Sequence, residues 1–172
     1  ADSIRGGSKI LQPDISDAEI TEDSITGFNT NGFTLGTSGN QNVNSELYVS
    51  WNWKAASSNT TNNDGSITST VRASQQSGFS VVKYTAGSST DFTEAVGHGL
   101  SQAPEMILQK RTDSSASNWY VIFTAFDGSI DYMNLNTNSA KTNMDTADSG
   151  AYANFTIGNT GFSDWWGGSY NI

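Results

Sequence analysis

The predicted fold depends first on residues 47–54, which have the sequence LYVSWNWK. In a β-strand successive side chains point to opposite faces, so every second residue shares a face. The four apolar residues on one such face are Leu47, Val49, Trp51 and Trp53. Two tryptophans that pack on one face bury roughly 150–250 Å² each. The pattern therefore predicts a core strand that turns this face inward.

Outward from this stretch, the composition favours many short strands joined by turns. The 172 residues include 35% apolar and 11% aromatic residues, and 17 glycines stand against 2 prolines. Candidate strands recur about every eight to fifteen residues, and no window has a helical period. We therefore predict an all-β fold, an antiparallel β-sandwich of the jelly-roll or concanavalin A-like kind. No apolar run approaches the ~20 residues of a membrane span, so no membrane insertion is expected.

Two local patterns indicate how the chain is divided. Asn31-Gly32 lies between apolar runs and predicts a tight hairpin, because both residues tolerate positive φ. FTLGT at 33–37 resembles FTIGN at 155–159, which indicates a weak internal repeat. We expect residues 1–56 to be the C-terminal part of a first β unit. Residues 57–172 are then a second β-sandwich unit, truncated before its own tryptophan-type strand, and the alternative is that both parts pack as one domain.

Charge and cysteine content exclude several kinds of partner. The formal net charge is −9, which argues against nucleic-acid backbones, because phosphates repel an acidic surface. The absence of cysteine excludes disulfides and thiolate-bound metals. A single histidine makes a zinc site improbable. An EF-hand loop with Gly65 as its turn glycine fails, because its first ligand position falls on Thr60 and its bidentate-acid position on Val71. We expect neither a cofactor nor a bound metal.

The search for catalytic groups favours a protein that is not an enzyme. His98 is the only histidine and lies between two glycines, which favours a turn residue with local hydrogen bonds. No Gly-x-Ser-x-Gly nucleophile elbow occurs. Paired carboxylates for glycoside cleavage stay open as an alternative, because sequence spacing does not give their separation in space. The candidate carboxylates are Asp113, Asp127, Asp131, Asp145, Asp148 and Asp164.

The candidate ligand-binding residues lie near the end of the sequence. Trp165 and Trp166 precede two glycines, and Tyr170 follows them. Aromatic rings pack on the apolar faces of sugars, so these three residues are a candidate sugar-stacking platform. The alternative is a strand end whose rings fill the core, with the two tryptophans facing opposite sides.

A series of segments in a fixed order gives the chain a recognisable pattern. They are DSIRGG at 2–7, FNTNGFTLG at 28–36, YVSWNWKA at 48–55, DGSITSTV at 64–71, GFSVVKY at 78–84, VGHGL at 96–100, NWYV at 118–121 and YMNLN at 132–136. The series resembles a repeat module of tail-fibre-like virion proteins of marine bacteriophages and cyanophages. The resemblance covers nearly the whole chain and implies a concanavalin A-like or SPRY-like β-sandwich.

The resemblance also implies a place and a role, namely a virion appendage that contributes to host-cell attachment. The expected partners are copies of the chain or other virion proteins, in a homo-oligomer for which a trimer is one candidate. A host surface glycan is the expected ligand, bound weakly at each site and more tightly through multivalency. Two alternatives stay open: a purely structural spacer or capsid decoration, and a polysaccharide depolymerase.

Overall fold

All regular secondary structure in the described part of the chain is β-strand. The computed structural model describes residues 1–144, 152, 154–166 and 172, and within these ranges there is no helix, hence none long and apolar enough to cross a membrane. The all-β prediction is therefore confirmed. The strands are β1 (Lys9–Ile10), β2 (Ile20–Thr21), β3 (Ile25–Asn29), β4 (Gly32–Leu35), β5 (Thr60–Asn62), β6 (Ser69–Ser74), β7 (Phe79–Tyr84), β8 (Ala95–Gly97), β9 (Met106–Gln109), β10 (Tyr120–Phe123), β11 (Asp131–Asn134), β12 (Thr142–Asn143) and β13 (Gly161–Ser163).

Antiparallel pairing arranges these strands in small sheets. A four-stranded sheet has the order β12-β11-β10-β9, and a three-stranded sheet has the order β5-β6-β7. Three further pairs are β1 with β2, β3 with β4, and β8 with β13. An isolated parallel bridge from Ile67 to Val96 ties the start of the three-stranded sheet to β8. The arrangement is of the sandwich type, and the finer jelly-roll or concanavalin A-like topology stays a prediction.

The predicted hairpin near Asn31-Gly32 is present. β3 pairs with β4 from Phe28↔Phe33 to Asn29↔Gly32, so the turn residues are Thr30 and Asn31, one position before the predicted pair. Most other predicted strands also form, because their alternating apolar residues find partners in adjacent strands.

Two groups of buried side chains form the core. The first core cluster comprises Ile67, Tyr84, Ala86, Val96, Phe162 and Ile172. The second core cluster comprises Ile122, Met144 and Phe155. Ile107 and Ile157 pack against both clusters and so join them. Side chains from several sheets meet here, which holds together strands that share no backbone hydrogen bonds.

A close backbone approach explains one glycine beside the first core cluster. Any Cβ at Gly65 would overlap the backbone carbonyl of Ala95. Directly beyond this contact, the Ile67 amide donates a hydrogen bond of 2.9 Å to the same Ala95 carbonyl oxygen. Only glycine lets the two segments come close enough for this bond.

Residues 1–21 dock on the C-terminal part through backbone groups. The Glu19 amide donates to the Thr112 carbonyl at 2.8 Å, and the Trp119 indole Nε1 donates to the Gln12 carbonyl at 2.8 Å. Within the docked segment, the Arg5 guanidinium pairs with Asp2 and Glu19 at 2.5 Å each. The boundary predicted at residues 56 and 57 stays a prediction, and these bonds show that the two parts are in contact.

The prediction of a core strand at residues 47–54 is wrong. Leu47, Val49, Trp51 and Trp53 are 98%, 82%, 78% and 62% exposed, and no described residue pairs with this stretch as a strand. The alternation correctly identifies a stretch suited to one buried face, but burial also requires a neighbouring strand. None of the described residues forms a strand whose amides and carbonyls bond to those of residues 47–54.

A strand that the sequence did not predict lies in the polar loop that follows. β5 pairs with β6 through Thr60↔Val71 and Asn62↔Ser69. β5 is an edge strand that pairs on one side only, with β6. Little of its side-chain surface is buried there, so polar residues are tolerated.

Candidate functional site

Trp165, one of the predicted glycan contacts, lies in an aromatic cluster. Its ring centroid is 4.7 Å from that of Tyr120, 5.0 Å from that of Tyr132 and 5.5 Å from that of Tyr152. Such offset and edge-on ring pairs stabilise a packed interior beyond the area they bury. The indole is half-buried against the second core cluster, so only part of the ring is open to a ligand.

Trp166 packs against the first core cluster, whereas Trp165 packs against the second. Its ring meets Tyr120 edge-on at 5.3 Å, and the Arg111 guanidinium lies 5.7 Å above its centroid. Tyr170, the third predicted contact, lies outside the described residues. The structure thus places both described tryptophans in packed positions, and glycan binding by them stays a prediction.

The pKa values of two tyrosines in this aromatic cluster are raised. The hydroxyl of Tyr152 lies 3.4 Å from that of Tyr132, and this hydrogen bond, together with burial, raises the pKa of Tyr152 to about 12. Burial also raises the pKa of Tyr120. Both shifts reflect the packing of these rings, because burial, and for Tyr152 also the hydrogen bond to Tyr132, disfavours the charged phenolate.

Asp164, one of the candidate carboxylates, is a buried structural acceptor. Its carboxylate accepts hydrogen bonds from the Tyr84 hydroxyl at 3.1 Å, the Gly87 amide at 3.0 Å and the Trp166 amide at 3.1 Å. Burial raises its pKa, and these three donors act in the opposite direction. The group joins the segment at residues 84–87 to its own segment at 164–166 and has no open side facing a substrate, since the residue is 2% exposed.

The other candidate carboxylates that the structure describes are paired with nearby groups. Lys141 Nζ lies 2.5 Å from Asp131 and 3.6 Å from Asp127, and Arg111 Nε lies 3.1 Å from Asp113. Asp145 and Asp148 lie outside the described residues. Within the ranges that the structure covers, no group of three or more His, Cys, Asp or Glu side chains is placed to hold a metal ion.

His98 directly follows β8, and of its two ring hydrogen bonds only the one from Leu100 is local, as the sequence predicted. The Leu100 amide donates to Nδ1 at 3.0 Å, so Nδ1 is the accepting nitrogen and Nε2 carries the proton. Nε2 lies 3.0 Å from the Gly158 carbonyl oxygen, to which it donates. Both ring nitrogens thus bond to the backbone, and the ring is 2% exposed.

A polar groove opens beside the three-stranded sheet. It has a volume of about 460 Å³, and Val71, Ala73 and Leu100 supply its apolar part. The polar residues at the groove are Ser58, Thr60, Asn62, Asp64, Gln75 and Ser101. Amide, hydroxyl and carboxylate groups therefore surround an apolar patch, a combination that suits a small polar ligand with one apolar face.

Hydrogen bonds fix two of the polar groups at this groove. Gln75 Nε2 donates to the Gly99 carbonyl at 2.7 Å, while its Oε1 accepts from the amide and hydroxyl of Ser101 at 2.9 and 2.8 Å. Asn62 Nδ2 donates to Asp64 at 2.7 Å. The side chains are thus oriented before any ligand arrives, which reduces the ordering cost of binding.

The second surface of interest is residues 46–54, which we call the exposed segment. It runs without a turn or bend, and its C-terminal end touches the body of the protein. Trp53 stacks on Phe79 with centroids 6.1 Å apart, and the Ser77 hydroxyl donates to the Lys54 carbonyl at 2.8 Å. Between Leu47 and Trp53, no backbone group bonds to another backbone group of the described residues.

Sequence similarity assigns the chain to a family. A family model described as "Domain of unknown function (DUF7483)" matches residues 1–170. The chain belongs to the DUF7483 family. No curated protein and no solved structure matches it. Both the polar groove and the exposed segment lie within the matched part of this DUF7483 domain.

Sequence reasoning missed the groove of the DUF7483 domain for a physical reason. Its residues come from three separate stretches, around Thr60, Gln75 and Ser101, which only the antiparallel pairing of β5 with β6 and the following turns bring together. One local signal was available: Thr60 and Asn62 alternate with a period of two, as polar residues on one face of an edge strand do.

Proposed function

We propose that this DUF7483 protein is a structural module of a phage virion appendage, such as a tail fibre, and contributes to host attachment. In this role it binds surface glycans weakly at each site and more tightly through repeated copies. Its expected location is the virion, and its partners are copies of itself or other virion proteins, with a trimer as one candidate assembly. The proposed role is not enzymatic.

The observation that carries this proposal is the polar groove. A pyranose ring presents hydroxyls at its edge and C–H groups on its face, which match the amides and hydroxyls around Leu100 and Ala73. The groove is open and has no aromatic side chain among its lining residues, so we expect low affinity for a single sugar. Low affinity at each site is compatible with attachment, because several linked copies bind together much more tightly than one.

The groove is preferred to the tryptophan pair as the glycan site. Trp165 and Trp166 place most of their ring surface against other side chains, whereas Gln75 and Ser101 are exposed. The order of sequence segments that resembles tail-fibre-like virion proteins supports the virion part of the proposal.

The test compares single substitutions on a multivalent display of the protein. Beads coated with wild-type protein are applied to an array of host surface glycans, together with beads carrying Gln75→Ala or Gln76→Ala. Gln75→Ala removes the amide that orients Ser101, so we expect a loss of about tenfold or more in bead binding, as multivalency multiplies a small loss at each site. Gln76 is an exposed neighbour outside the groove and serves as the matched control.

The outcomes separate the competing roles. Equal binding by both variants would contradict the groove as the glycan site. Absence of binding by wild-type beads to any glycan and to host cells would leave the structural spacer or capsid decoration, which the exposed segment favours as an assembly surface. Shortening of host capsule or lipopolysaccharide chains on long incubation would instead support a depolymerase.

A further inference from the structure

The exposed segment is rich in apolar residues and pairs with no strand among the residues that the structure describes. Four large apolar side chains alternate with polar ones along residues 46–54 and are mostly open to solvent, and in an extended conformation such alternation places them on one face. The backbone between Leu47 and Trp53 forms no backbone hydrogen bonds within the described residues. A flat apolar strand with free amides and carbonyls pairs readily with another strand, and soluble proteins cover such strands.

The sequence of the segment is complementary to itself when read in the opposite direction. Antiparallel pairing centred on Ser50 places Glu46 opposite Lys54 of a second copy, and Lys54 opposite Glu46. The same register sets Leu47 against Trp53 and Val49 against Trp51, so apolar residues face apolar residues throughout. Cross-strand pairs of an aromatic with an aliphatic side chain, and of opposite charges, are the favourable ones in sheets.

Other registers are less favourable. A shift of one residue would place apolar side chains opposite polar ones and turn the two apolar faces to opposite sides of the ribbon. Parallel pairing in register would place Glu46 beside Glu46 and Lys54 beside Lys54, which repel. The centred antiparallel register alone combines opposite charges at both ends with one shared apolar face.

Edge-to-edge pairing buries the facing backbone groups and the flanks of opposed side chains, and it joins the two apolar faces into one surface of the ribbon. Trp51 and Trp53 supply most of the contact between opposed side chains, since aromatic rings are the largest of the four. We therefore expect a weak dimer. Trp53 already stacks on Phe79, so each body supports one end of the shared apolar face.

We propose that two copies associate through antiparallel pairing of their exposed segments, centred on Ser50 and closed at both ends by Glu46–Lys54 pairs. The pairing is isologous, since each copy contributes the same residues to a two-fold interface. It is independent of glycan binding at the groove. The charges and apolar residues of this segment match those of the same segment read in the opposite direction. This match favours a second copy of the chain over an unrelated apolar strand as the partner.

A cysteine at the two-fold position tests the register directly. The chain has no cysteine, so Ser50→Cys introduces one thiol per copy. Directly opposed residues of antiparallel strands have Cα atoms about 4.5–5.5 Å apart, within the range of a disulfide. Mild oxidation joins the two thiols as one disulfide, with the oxidant taking two electrons and two protons, and we expect most of the protein to become a covalent dimer.

The matched control is Ser88→Cys, because Ser88 is also exposed and lies outside the segment. Ser50→Cys is expected to cross-link at least tenfold faster than Ser88→Cys at equal protein concentration, since only Ser50 is opposed to itself. Equal cross-linking rates for the two variants would overturn the proposed register.

Charge reversal tests the same pairing without a covalent bond. Glu46→Lys makes the protein less acidic, which by itself favours association of two acidic copies, yet it sets lysine against lysine at both ends. We expect each of Glu46→Lys and Lys54→Glu to weaken dimerisation about tenfold in sedimentation velocity. The double variant, and an equal mixture of the two single variants, restore opposite charges and the dimer.

Two results would contradict the proposal. The first is a wild-type protein that stays monomeric at every concentration, and the second is a double variant that dimerises as weakly as the single ones. Glycan binding by Gln75→Ala and Gln76→Ala beads is measured apart from dimerisation. If no dimer forms, the glycan-binding proposal still stands on its own measurement. If no glycan binds, the proposed dimer still stands on the cross-linking and sedimentation results.

Discussion

At the scale of single residues, Tyr84 links the core to a buried carboxylate. It is 5% exposed, its hydroxyl donates to Asp164 at 3.1 Å, and it accepts a hydrogen bond from Gln109 Nε2. Burial raises the pKa of Tyr84 well above its ordinary value of 10, and the negative charge of Asp164 raises it further. The folded protein therefore keeps this proton at a pH where the unfolded chain has lost it.

This difference in pKa gives a prediction for alkaline pH. Between pH 10 and the higher pKa of folded Tyr84, the unfolded state binds fewer protons than the folded state, so the free energy of unfolding falls as pH rises. The contribution is fully present below pH 10. We expect Tyr84→Phe to be less stable than wild type by about 1–3 kcal/mol at pH 7, because Asp164 and Gln109 lose a partner. Above pH 10 its stability should fall less steeply.

The measurement is urea unfolding at intervals from pH 8 to 11.5. Tyr48→Phe is the control, because the Tyr48 hydroxyl is at the surface and accepts only from the Val43 amide. The same slope above pH 10 for wild type and Tyr84→Phe would contradict the assignment.

At the scale of elements, the exposed segment shows what a sequence pattern does and does not determine. Period-two alternation also predicted a strand at residues 66–74, and β6 forms there because β5 and β7 supply backbone partners on both sides. The same pattern at residues 47–54 has no such strand in the described part of the chain. An alternating sequence shows only that one face of a strand would be apolar. Whether the strand forms depends on a distant segment that lies beside it and supplies backbone partners.

The candidate site was less predictable than the strands for the same reason. The tryptophan pair was noticed because its side chains are unusual in sequence, but their half-buried position follows from packing against Tyr120 and Tyr132. The groove, in contrast, is assembled from ordinary polar residues that only the fold brings together.

Proline substitution distinguishes a free strand from a paired one. Val49→Pro removes an amide that bonds to no described backbone group, so we expect the monomer to lose no more than about 0.5 kcal/mol of stability. Val71→Pro in β6, which is paired on both sides, should cost about 3 kcal/mol or more. Denaturant unfolding at low protein concentration measures both, and equal losses would contradict an unpaired segment.

At the scale of the whole molecule, the N-terminal residues are joined to the rest by few contacts. β1 and β2 form only a two-stranded pair, and the hydrogen bonds of Ser16, Glu19 and Trp119 connect them to the C-terminal part. A short sheet with little buried area is of low local stability, so its attachment depends on these few bonds.

The docking bond of Trp119 gives a prediction for hydrogen exchange. Trp119→Phe keeps an aromatic ring but removes the Nε1 donor to the Gln12 carbonyl. We expect amides of residues 9–21 to exchange about threefold to tenfold faster, while those of residues 120–134 change little. Trp51→Phe is the control, because Trp51 is exposed. Uniform acceleration across the chain would contradict local docking.

The five tryptophans also differ in exposure, so intrinsic tryptophan fluorescence can follow the state of the exposed segment. Trp51 and Trp53 lie in water, whereas Trp119, Trp165 and Trp166 are partly shielded. Acrylamide should quench the red-shifted emission of the first two and reach the shielded group much less. Covering the exposed segment would shift the emission maximum to the blue and reduce quenching, so its occupancy can be followed in solution without any attached dye.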